Sequence, residues 1–209
     1  MNLIVVYNSS GDKMNNNIVF RRILAFMIDM FVVGLISSII LSGHDNRVSN
    51  NQSKELIKIM NDFTDEKITN EEYIDKYSSI IYEINQDNFD ENLIYLIVSV
   101  GYFLVFQYLN KGATIGKRLM KIRIVSKNKK DVSLCQLLIR VCLINEVLPM
   151  IILLLLVKLS GGISFFMGYG MVSLIENIII IICGLTLIFN KNNIALHDKI
   201  SNSQVIYDE

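Results

Sequence analysis

Long apolar stretches alternate with charged stretches along this chain, and the apolar ones have the length that a membrane requires. A membrane-spanning helix needs roughly 17 apolar residues or more. Four stretches meet this requirement: residues 23–41, 93–109, 141–157 and 163–189. With 52% hydrophobic residues, the chain is also more apolar than an ordinary soluble domain. The pattern therefore predicts an all-α integral membrane protein, built as a four-transmembrane-helix bundle.

The charges between these stretches are unevenly distributed, which predicts how the chain is oriented. Residues 110–132 carry eight basic residues and one acid, whereas residues 43–92 carry twelve acids and five bases. Loops rich in Lys and Arg stay in the cytoplasm. We therefore expect the basic loop and both termini in the cytoplasm (N-in/C-in), with the acidic segment on the outer face of the plasma (cell) membrane.

Hydrophobic side chains in the acidic segment recur at helical spacing. Residues 53–63 and 70–84 each place apolar side chains three or four positions apart, and Asn70 is in position to cap the second helix. Residues 43–92 are therefore expected to form an extracytoplasmic helical insertion, a hairpin over the outer face. Its acidity has two explanations: a solvated linker, or a cap that attracts cations or contacts a partner.

Short elements are predicted on the cytoplasmic side as well. Residues 122–125 and 204–207 have strand character, and they are able to pair because both lie on one side of the membrane. Ser133 and Gln136 have the spacing of a capping box, so an interfacial helix is expected to lead from there into the third span. Together these elements predict a small cytoplasmic strand and hairpin platform.

Ionisable residues inside the spans are the main candidates for function, because such groups are costly at membrane depth and rarely face lipid. Asp29 lies two helical turns beyond Arg22, and Glu146 lies six residues beyond Arg140. These pairs are able to cross-link the first and third spans, or Asp29 binds a proton or a cation. Glu176 lies in the middle of the fourth span, where a structural and an ion-binding role are both open. The candidate ion or proton site therefore comprises Asp29, Glu146 and Glu176.

Other chemistries find little support in the sequence. Two histidines, His44 and His197, and three cysteines form no metal-ligand pattern, and no nucleophile–base arrangement falls on one side of the membrane. We therefore expect no enzyme activity, no metal and no cofactor. Topology explains the basic loop, which argues against nucleic-acid binding. Asp198 is expected to cap or pair with that loop, at Lys117, Arg118 or Arg123. The candidate cytoplasmic contact residues are Lys117, Arg118, Arg140 and His197.

Three separated blocks resemble the RDD family of multi-pass membrane proteins, which is named for one arginine and two aspartates. The blocks are residues 20–29, 112–125 and 195–200, within a single membrane domain over residues 1–209. By this resemblance the signature residues are Arg22, Asp29 and Asp198. The chain departs from the family at Lys121, where glycine is frequent, and at Asn202 and Ser203, where a Gly-Thr pair is frequent.

The resemblance implies a protein of a bacterial cell membrane without an agreed biochemical activity. Some relatives are described as ion or proton antiporters and others as accessory membrane components. Two hypotheses follow. The chain is a small ion- or proton-coupled transporter that acts as a homo-oligomer through its intramembrane carboxylates, or it is a non-catalytic scaffold or accessory subunit of a larger membrane complex. Its expected partners are the lipid bilayer and either further copies of itself or another membrane protein.

Overall fold

The computed structural model describes residues 11–42, 50–128 and 130–208. Over these residues the chain is mostly helical, with one two-stranded sheet. The helices are α1 (Gly11–Leu41), α2 (Asn50–Thr64), α3 (Asn70–Asp87), α4 (Phe89–Val100), α5 (Gln107–Leu109), α6 (Ile115–Leu119), α7 (Leu134–Ile144), α8 (Val147–Leu159), α9 (Gly162–Phe189) and α10 (Leu196–Ile200). A π-helical turn (Gly101–Phe106) joins α4 to α5, and the strands are β1 (Ile122–Ser126) and β2 (Ser203–Tyr207).

The long helices have the dimensions of membrane spans. Within the described ranges, three segments are long and apolar enough to cross a membrane: Ile18–Leu41 of α1, the continuous Phe89–Leu109, and α9. The bent pair α7 and α8 makes a fourth if it is counted as one span. The apolar pattern of the sequence is thus matched by three candidate spans and, at its third stretch, by a bent pair of helices.

The third predicted span is a broken helix because of its proline. Asn145 and Glu146 separate α7 from α8, and the two helix axes differ by 66°. In a continuous helix, the ring of Pro149 would clash with the carbonyl group of Asn145 and leave that carbonyl unpaired. In the first turn of α8, the missing N–H of proline is not needed. The predicted third span, residues 141–157, which Asn145, Glu146 and Pro149 interrupt, therefore falls on the end of α7 and most of α8.

The acidic segment forms the two helices that its pattern predicts, although the capping residue is different. Thr69, rather than Asn70, caps α3: its hydroxyl accepts from the N–H of Glu72 at 3.2 Å. The carboxylate of Glu72 accepts in return from the N–H of Thr69 at 3.0 Å, which completes a capping box. The beginning of the segment, residues 43–49 with His44, lies outside the described residues.

Aromatic side chains hold this hairpin together and attach it to the spans. The rings of Phe63 and Tyr73 stack with their centroids 4.4 Å apart, which joins α2 to α3. Tyr77 meets Phe166 of α9 edge to face at 5.7 Å. The hairpin is therefore packed against one end of α9 rather than tethered to it by loops alone.

The predicted strand pair and capping box are both present at the other end of the spans. β1 and β2 pair antiparallel, with Ile124 opposite Val205, which confirms the predicted pairing. Ser133 and Gln136 form the capping box that begins α7. Leu137 of α7 packs with Ile124 and Val205 in a small apolar core. We refer to α6, β1, β2 and α10 together as the platform.

Candidate functional site

Asp29 is buried, and hydrogen bonds satisfy both oxygens of its carboxylate. Its carboxylate accepts from the hydroxyl of Tyr102 at 2.6 Å, from the hydroxyl of Thr114 at 2.5 Å and from the N–H of Gly116 at 2.8 Å. The residue is 1% exposed, and Nζ of Lys117 lies 3.9 Å from the carboxylate. A buried carboxylate is stable only with partners of this kind. Asp29 thus ties α1 to the π-helical turn and to α6.

The approach of α6 to α1 is close enough to require glycine. A Cβ on Gly116 would lie 2.3 Å from the carbonyl oxygen of Ala25. Gly112 has a φ of +90°, and a Cβ there would lie 2.1 Å from the carbonyl oxygen of Ile124. Between the two glycines, the hydroxyl of Thr114 also caps α6. The composition of this block therefore follows from how closely the platform is packed.

Asp198 is the centre of a second buried cluster. Its Oδ2 lies 2.8 Å from Nη2 of Arg22, and its Oδ1 accepts from Nη1 of Arg140. Oδ2 also accepts from the N–H of Ala195 at 3.0 Å, at the start of α10. The side chains of Asp198, Arg22 and Arg140 are 1%, 9% and 7% exposed. Because Arg140 also donates to the hydroxyl of Ser203 at 2.8 Å, one carboxylate joins α1, α7 and the platform.

These charges pair differently from the sequence-based expectation. Arg22 pairs with Asp198 rather than with Asp29, and Arg140 pairs with Asp198 rather than with Glu146. Two helical turns separate Arg22 from Asp29 by about 10 Å along the axis, whereas the platform brings Asp198 beside both arginines. The first and third spans are joined by charges, as expected, but the joining group comes from α10.

Among the described residues, Asp198 forms its ion pairs with Arg22 and Arg140 and not with Lys117, Arg118 or Arg123 of the basic loop, so the predicted pairing was wrong. Its capping role is found at the start of α10, where it accepts from the N–H of Ala195. The basic side chains of the loop have other partners: Asp29 for Lys117 (3.9 Å), Asn110 for Arg118 (2.6 Å), and Asp208 for Arg123 (3.2 Å). The loop folds back on itself and on α1, which leaves Asp198 to the arginines of the spans.

The charges around Asp198 keep it ionised and keep His197 neutral. Burial acts to raise the pKa of Asp198, but the positive charges of Arg140 and Arg22 outweigh burial and hold that pKa well below its usual range. Burial lowers the pKa of His197 to about 4, and the arginines contribute in the same direction. At neutral pH, Asp198 therefore carries a negative charge, whereas the adjacent His197 is uncharged.

One nitrogen of His197 is buried without a partner. Its Nε2 lies 3.1 Å from Nη2 of Arg22 and 3.3 Å from Oδ1 of Asp198. Arginine always carries its protons, so Nε2 accepts in the shorter contact, and the neutral ring carries its own proton on Nδ1. Nδ1 is buried and has no hydrogen-bond partner among the described residues. A buried N–H donor left in this state destabilises the fold.

Basic side chains outnumber carboxyl groups in the two clusters. The basic side chains are those of Arg22, Lys117 and Arg140, and the carboxyl groups are those of Asp29 and Asp198. Burial lowers the pKa of Lys117 to about 8 despite the nearby carboxyl group of Asp29, so most of its ammonium remains protonated at pH 7.

A cavity of about 460 Å³ adjoins both clusters. Its wall follows α1 from Arg22 to Met30 and α9 from Leu187 back to Ile180, so it extends from the platform towards the middle of the spans. Most of the wall is apolar. The polar side chains on it are those of Arg22, Asp29, Gln107, Lys117, Arg140, Asn145, Glu146 and His197.

The other two candidate carboxylates lie outside the two clusters. Glu146 is in the break between α7 and α8, with a φ of 57°, an exposed side chain and no capping bond. Glu176 is half-buried on α9. The structure thus places Asp29 in a hydrogen-bonded site of its own, apart from Glu146 at the break and Glu176 on α9.

Sequence reasoning missed two residues of the Asp29 site, Tyr102 and Thr114, because hydroxyl groups in apolar or loop segments give no signal until their partner is known. The positions at which the chain departs from the family pattern gave more information about the backbone. Lys121 and Asn202 have φ values of 54° and 51°, so they occupy left-handed positions for which glycine is the usual residue. Ser203 supplies a hydroxyl to Arg140, as a threonine there would.

The spans, the platform and the buried charges that join them define a multi-pass membrane protein. The sequence model of the RDD family matches residues 18–202, and the chain belongs to this family. No curated protein and no solved structure matches the chain. Of the three residues that the resemblance assigned to the family signature, Arg22 and Asp198 pair directly with each other, and Asp29 anchors the neighbouring cluster.

Proposed function

We propose that this RDD-family protein is a small proton- or cation-coupled transporter that works as a homo-oligomer in a bacterial cell membrane. Glu146 and Glu176 are its ion-binding carboxylates. The observation that carries this proposal is the break between α7 and α8, where Asn145 and Glu146 lie on the wall of the cavity. The platform and both termini face the cytoplasm, in keeping with the basic loop.

The broken span is the first support. Irregular backbone at membrane depth is tolerated where it is buried in protein or lines a water-filled cavity. Transporters use such breaks as ion sites, because carbonyl groups at the end of the first half-helix attract cations. Here the end of α7, the amide of Asn145 and the carboxylate of Glu146 meet at one break on the cavity wall.

The carboxylates themselves are the second support. Glu146 lies at the break and Glu176 lies on α9, and carboxylates at membrane depth commonly mark proton and ion paths. Asp29 takes no part in this proposed site, since three hydrogen bonds and Lys117 already satisfy it.

Two features support the homo-oligomer: the small number of spans and the many exposed apolar side chains of α9. Its exposed apolar side chains include Met171 (64%), Leu174 (59%), Ile181 (59%) and Ile188 (58%). Lipid covers such a surface, and so does a second copy of the same helix. A second copy would supply the additional wall that alternating access needs and that four spans do not provide.

Flux in proteoliposomes tests this function. Proton and sodium flux are measured for the wild-type chain, for Glu146→Gln and Glu176→Gln, and for Glu83→Gln, a matched exposed carboxylate on α3. We expect flux in the wild type and in Glu83→Gln, and at least a tenfold loss in the other two variants. Folded, correctly oriented wild-type protein without flux would reject transport, and full flux in both variants would reject this ion site.

The second candidate function, an accessory subunit, is favoured by the hairpin. α2 exposes Ile57 (58%) and Met60 (51%) on a segment whose helix is otherwise rich in polar residues. A partner membrane protein is able to cover these side chains. This function predicts a larger complex in native membranes that Ile57→Asp and Met60→Asp disrupt, from a chain that shows no flux of its own. Isolation of the wild type alone would argue against it.

A further inference from the structure

We propose that α6 and the loop before it re-enter the membrane from the platform side, and that this segment binds an anionic phospholipid. An acyl chain of the lipid lies along Ile115 and Leu119, and Lys111, Arg118 and Lys121 hold its phosphate group. The proposal goes beyond the transport function and does not depend on it, because the proposed ion-binding carboxylates take no part.

α6 runs alongside the first span and well inside it. Its end lies beside Arg21, which donates to the carbonyl oxygen of Met120 at 2.7 Å. Its start lies beside Ala25 and Asp29, because the N–H of Gly116 donates to Asp29 at 2.8 Å and a Cβ on Gly116 would lie 2.3 Å from the carbonyl oxygen of Ala25. Asp29 is about 12 Å further along α1 than Arg21. The start of α6 is therefore the deeper end.

The chain turns back towards the membrane after the second span. The N–H of Ile115 donates to the hydroxyl of Tyr102 at 3.1 Å, although Tyr102 lies about two helical turns before the end of that span at Leu109. Irregular backbone at membrane depth must be buried in protein. Ala113 and Thr114, which connect the two levels, are 2% and 0% exposed. This loop has the features of a re-entrant segment.

α6 presents an apolar face away from α1. Ile115 and Leu119 are one turn apart on this face and are 39% and 62% exposed. Leu109, where the second span ends, is 73% exposed. Large apolar side chains are unfavourable in water, and a helix with such a face buries it among acyl chains. The apolar face of α6 is therefore matched to the tail of a lipid.

Three exposed basic residues flank this face: Lys111, Arg118 and Lys121. Arg118 donates to the amide oxygen of Asn110 at 2.6 Å, which brings its guanidinium group beside the residue before Lys111. The N–H of Lys121 donates to the carbonyl oxygen of Arg118 at 3.0 Å, so these two residues are within one turn. Within the part of the chain that the structure describes, none of the three forms an ion pair.

An anionic phospholipid matches both parts of this surface. Guanidinium and ammonium groups form charge-assisted hydrogen bonds with phosphate oxygens, and basic residues at a membrane surface attract anionic lipids. A soluble anion would leave the apolar face uncovered. A zwitterionic lipid has the same phosphate group but brings its own cation, so three basic side chains attract it less.

Tryptophan reporters test the depth of α6, because the chain has no tryptophan of its own. The full chain with Ile115→Trp or Leu119→Trp is placed in phosphatidylcholine nanodiscs, with or without bromine on the acyl chains, which quenches tryptophan on contact. We expect strong quenching in both variants, as in Ile97→Trp on α4, where Ile97 is 62% exposed. Lys127→Trp, in the exposed turn after β1, should be quenched little. If both α6 reporters behave like Lys127→Trp, water or protein covers α6 and the proposal is wrong.

Lipid selectivity at the Leu119→Trp reporter tests the head group. The nanodiscs contain phosphatidylglycerol and phosphatidylcholine in equal amounts, with bromine on one of the two lipids at a time. We expect phosphatidylglycerol to be preferred about fivefold, which is roughly the effect of one basic residue at a charged membrane surface. The preference should disappear when Lys111, Arg118 and Lys121 are all changed to Gln.

The matched control removes three positive charges from the hairpin of α2 and α3. The changes are Lys54→Gln, Lys58→Gln and Lys76→Gln, all at exposed positions, and the control should keep the preference for phosphatidylglycerol. An equal preference in the two triple variants, or no preference in the reporter alone, would refute the head-group site whatever the flux measurements show.

Discussion

Replacing Asp198 with asparagine should be among the most destabilising single changes in this chain. The substitution keeps the size of the side chain but removes the negative charge between two buried guanidinium groups, those of Arg22 and Arg140. Neither arginine is able to lose its proton. Breaking a buried ion pair by removing one partner costs about 3–5 kcal/mol. For a chain of this length, such a loss lowers the melting temperature by about 10 °C.

The assay follows the exposure of Cys183, which is buried. In a background that lacks Cys135 and Cys142, a thiol-reactive dye labels Cys183 as the chain unfolds on heating, and the midpoint gives the melting temperature. The chain contains no tryptophan, so this thiol is a better probe than intrinsic fluorescence. Asp208→Asn is the matched control.

The control removes an exposed pair instead of a buried one. Asp208 lies 3.2 Å from Arg123, with side chains 41% and 29% exposed, and such pairs contribute about 1 kcal/mol or less. Its melting temperature should fall by less than about 3 °C. If Asp198→Asn and Asp208→Asn lower the melting temperature equally, the argument that Asp198 holds the spans together is wrong. In an Arg22→Met background, the effect of Asp198→Asn should become smaller, because one of the two unpaired charges is gone.

Two further predictions concern the Asp29 cluster and pH. Gly116→Ala should destabilise the chain by about 1–3 kcal/mol, because the added Cβ would lie 2.3 Å from the carbonyl oxygen of Ala25. Thermal unfolding measures this loss, with Gly170→Ala as the control because a Cβ at Gly170 meets nothing within 4 Å. Equal melting temperatures would contradict the close approach of α6. Stability should also fall as the pH falls from about 6.5 towards 4, because the unfolded chain protonates His197 in this range and the folded chain does not. The loss approaches about 3 kcal/mol at pH 4, and His197→Phe should flatten the dependence of the melting temperature on pH; an unchanged slope in that variant would assign the effect to other groups.

Local patterns in the sequence were sufficient to predict the short elements of the cytoplasmic side and the pairing of its two strands. The capping box at Ser133 and the apolar alternation of β1 and β2 are short-range signals, and the structure contains all three features. The break at Glu146 was partly visible, because Pro149 interrupts the apolar run. Its geometry was not, since a proline in a span is compatible with a kink or with two separate helices.

The partners of the buried charges could not be predicted in the same way. Spacing along one helix placed Arg22 near Asp29, but the choice of partner depends on which residues the platform brings to that level. The information lies in contacts between distant parts of the chain, which periodicity does not record. Left-handed backbone at Lys121 and Asn202 was detectable only through the glycines that the family often has there.

The pairing of Arg22 with Asp198 also has a consequence for biosynthesis. Arg22 enters the membrane with the first helix, whereas Asp198 is synthesised only after all the spans, so the guanidinium groups have no carboxylate until α10 arrives. β1 likewise remains an unpaired edge until β2 is made. The platform is therefore assembled only after α9 has been made. A chain cut short before α10 would carry its spans but retain uncompensated charge between them, a feature that a protease surveying the membrane could recognise.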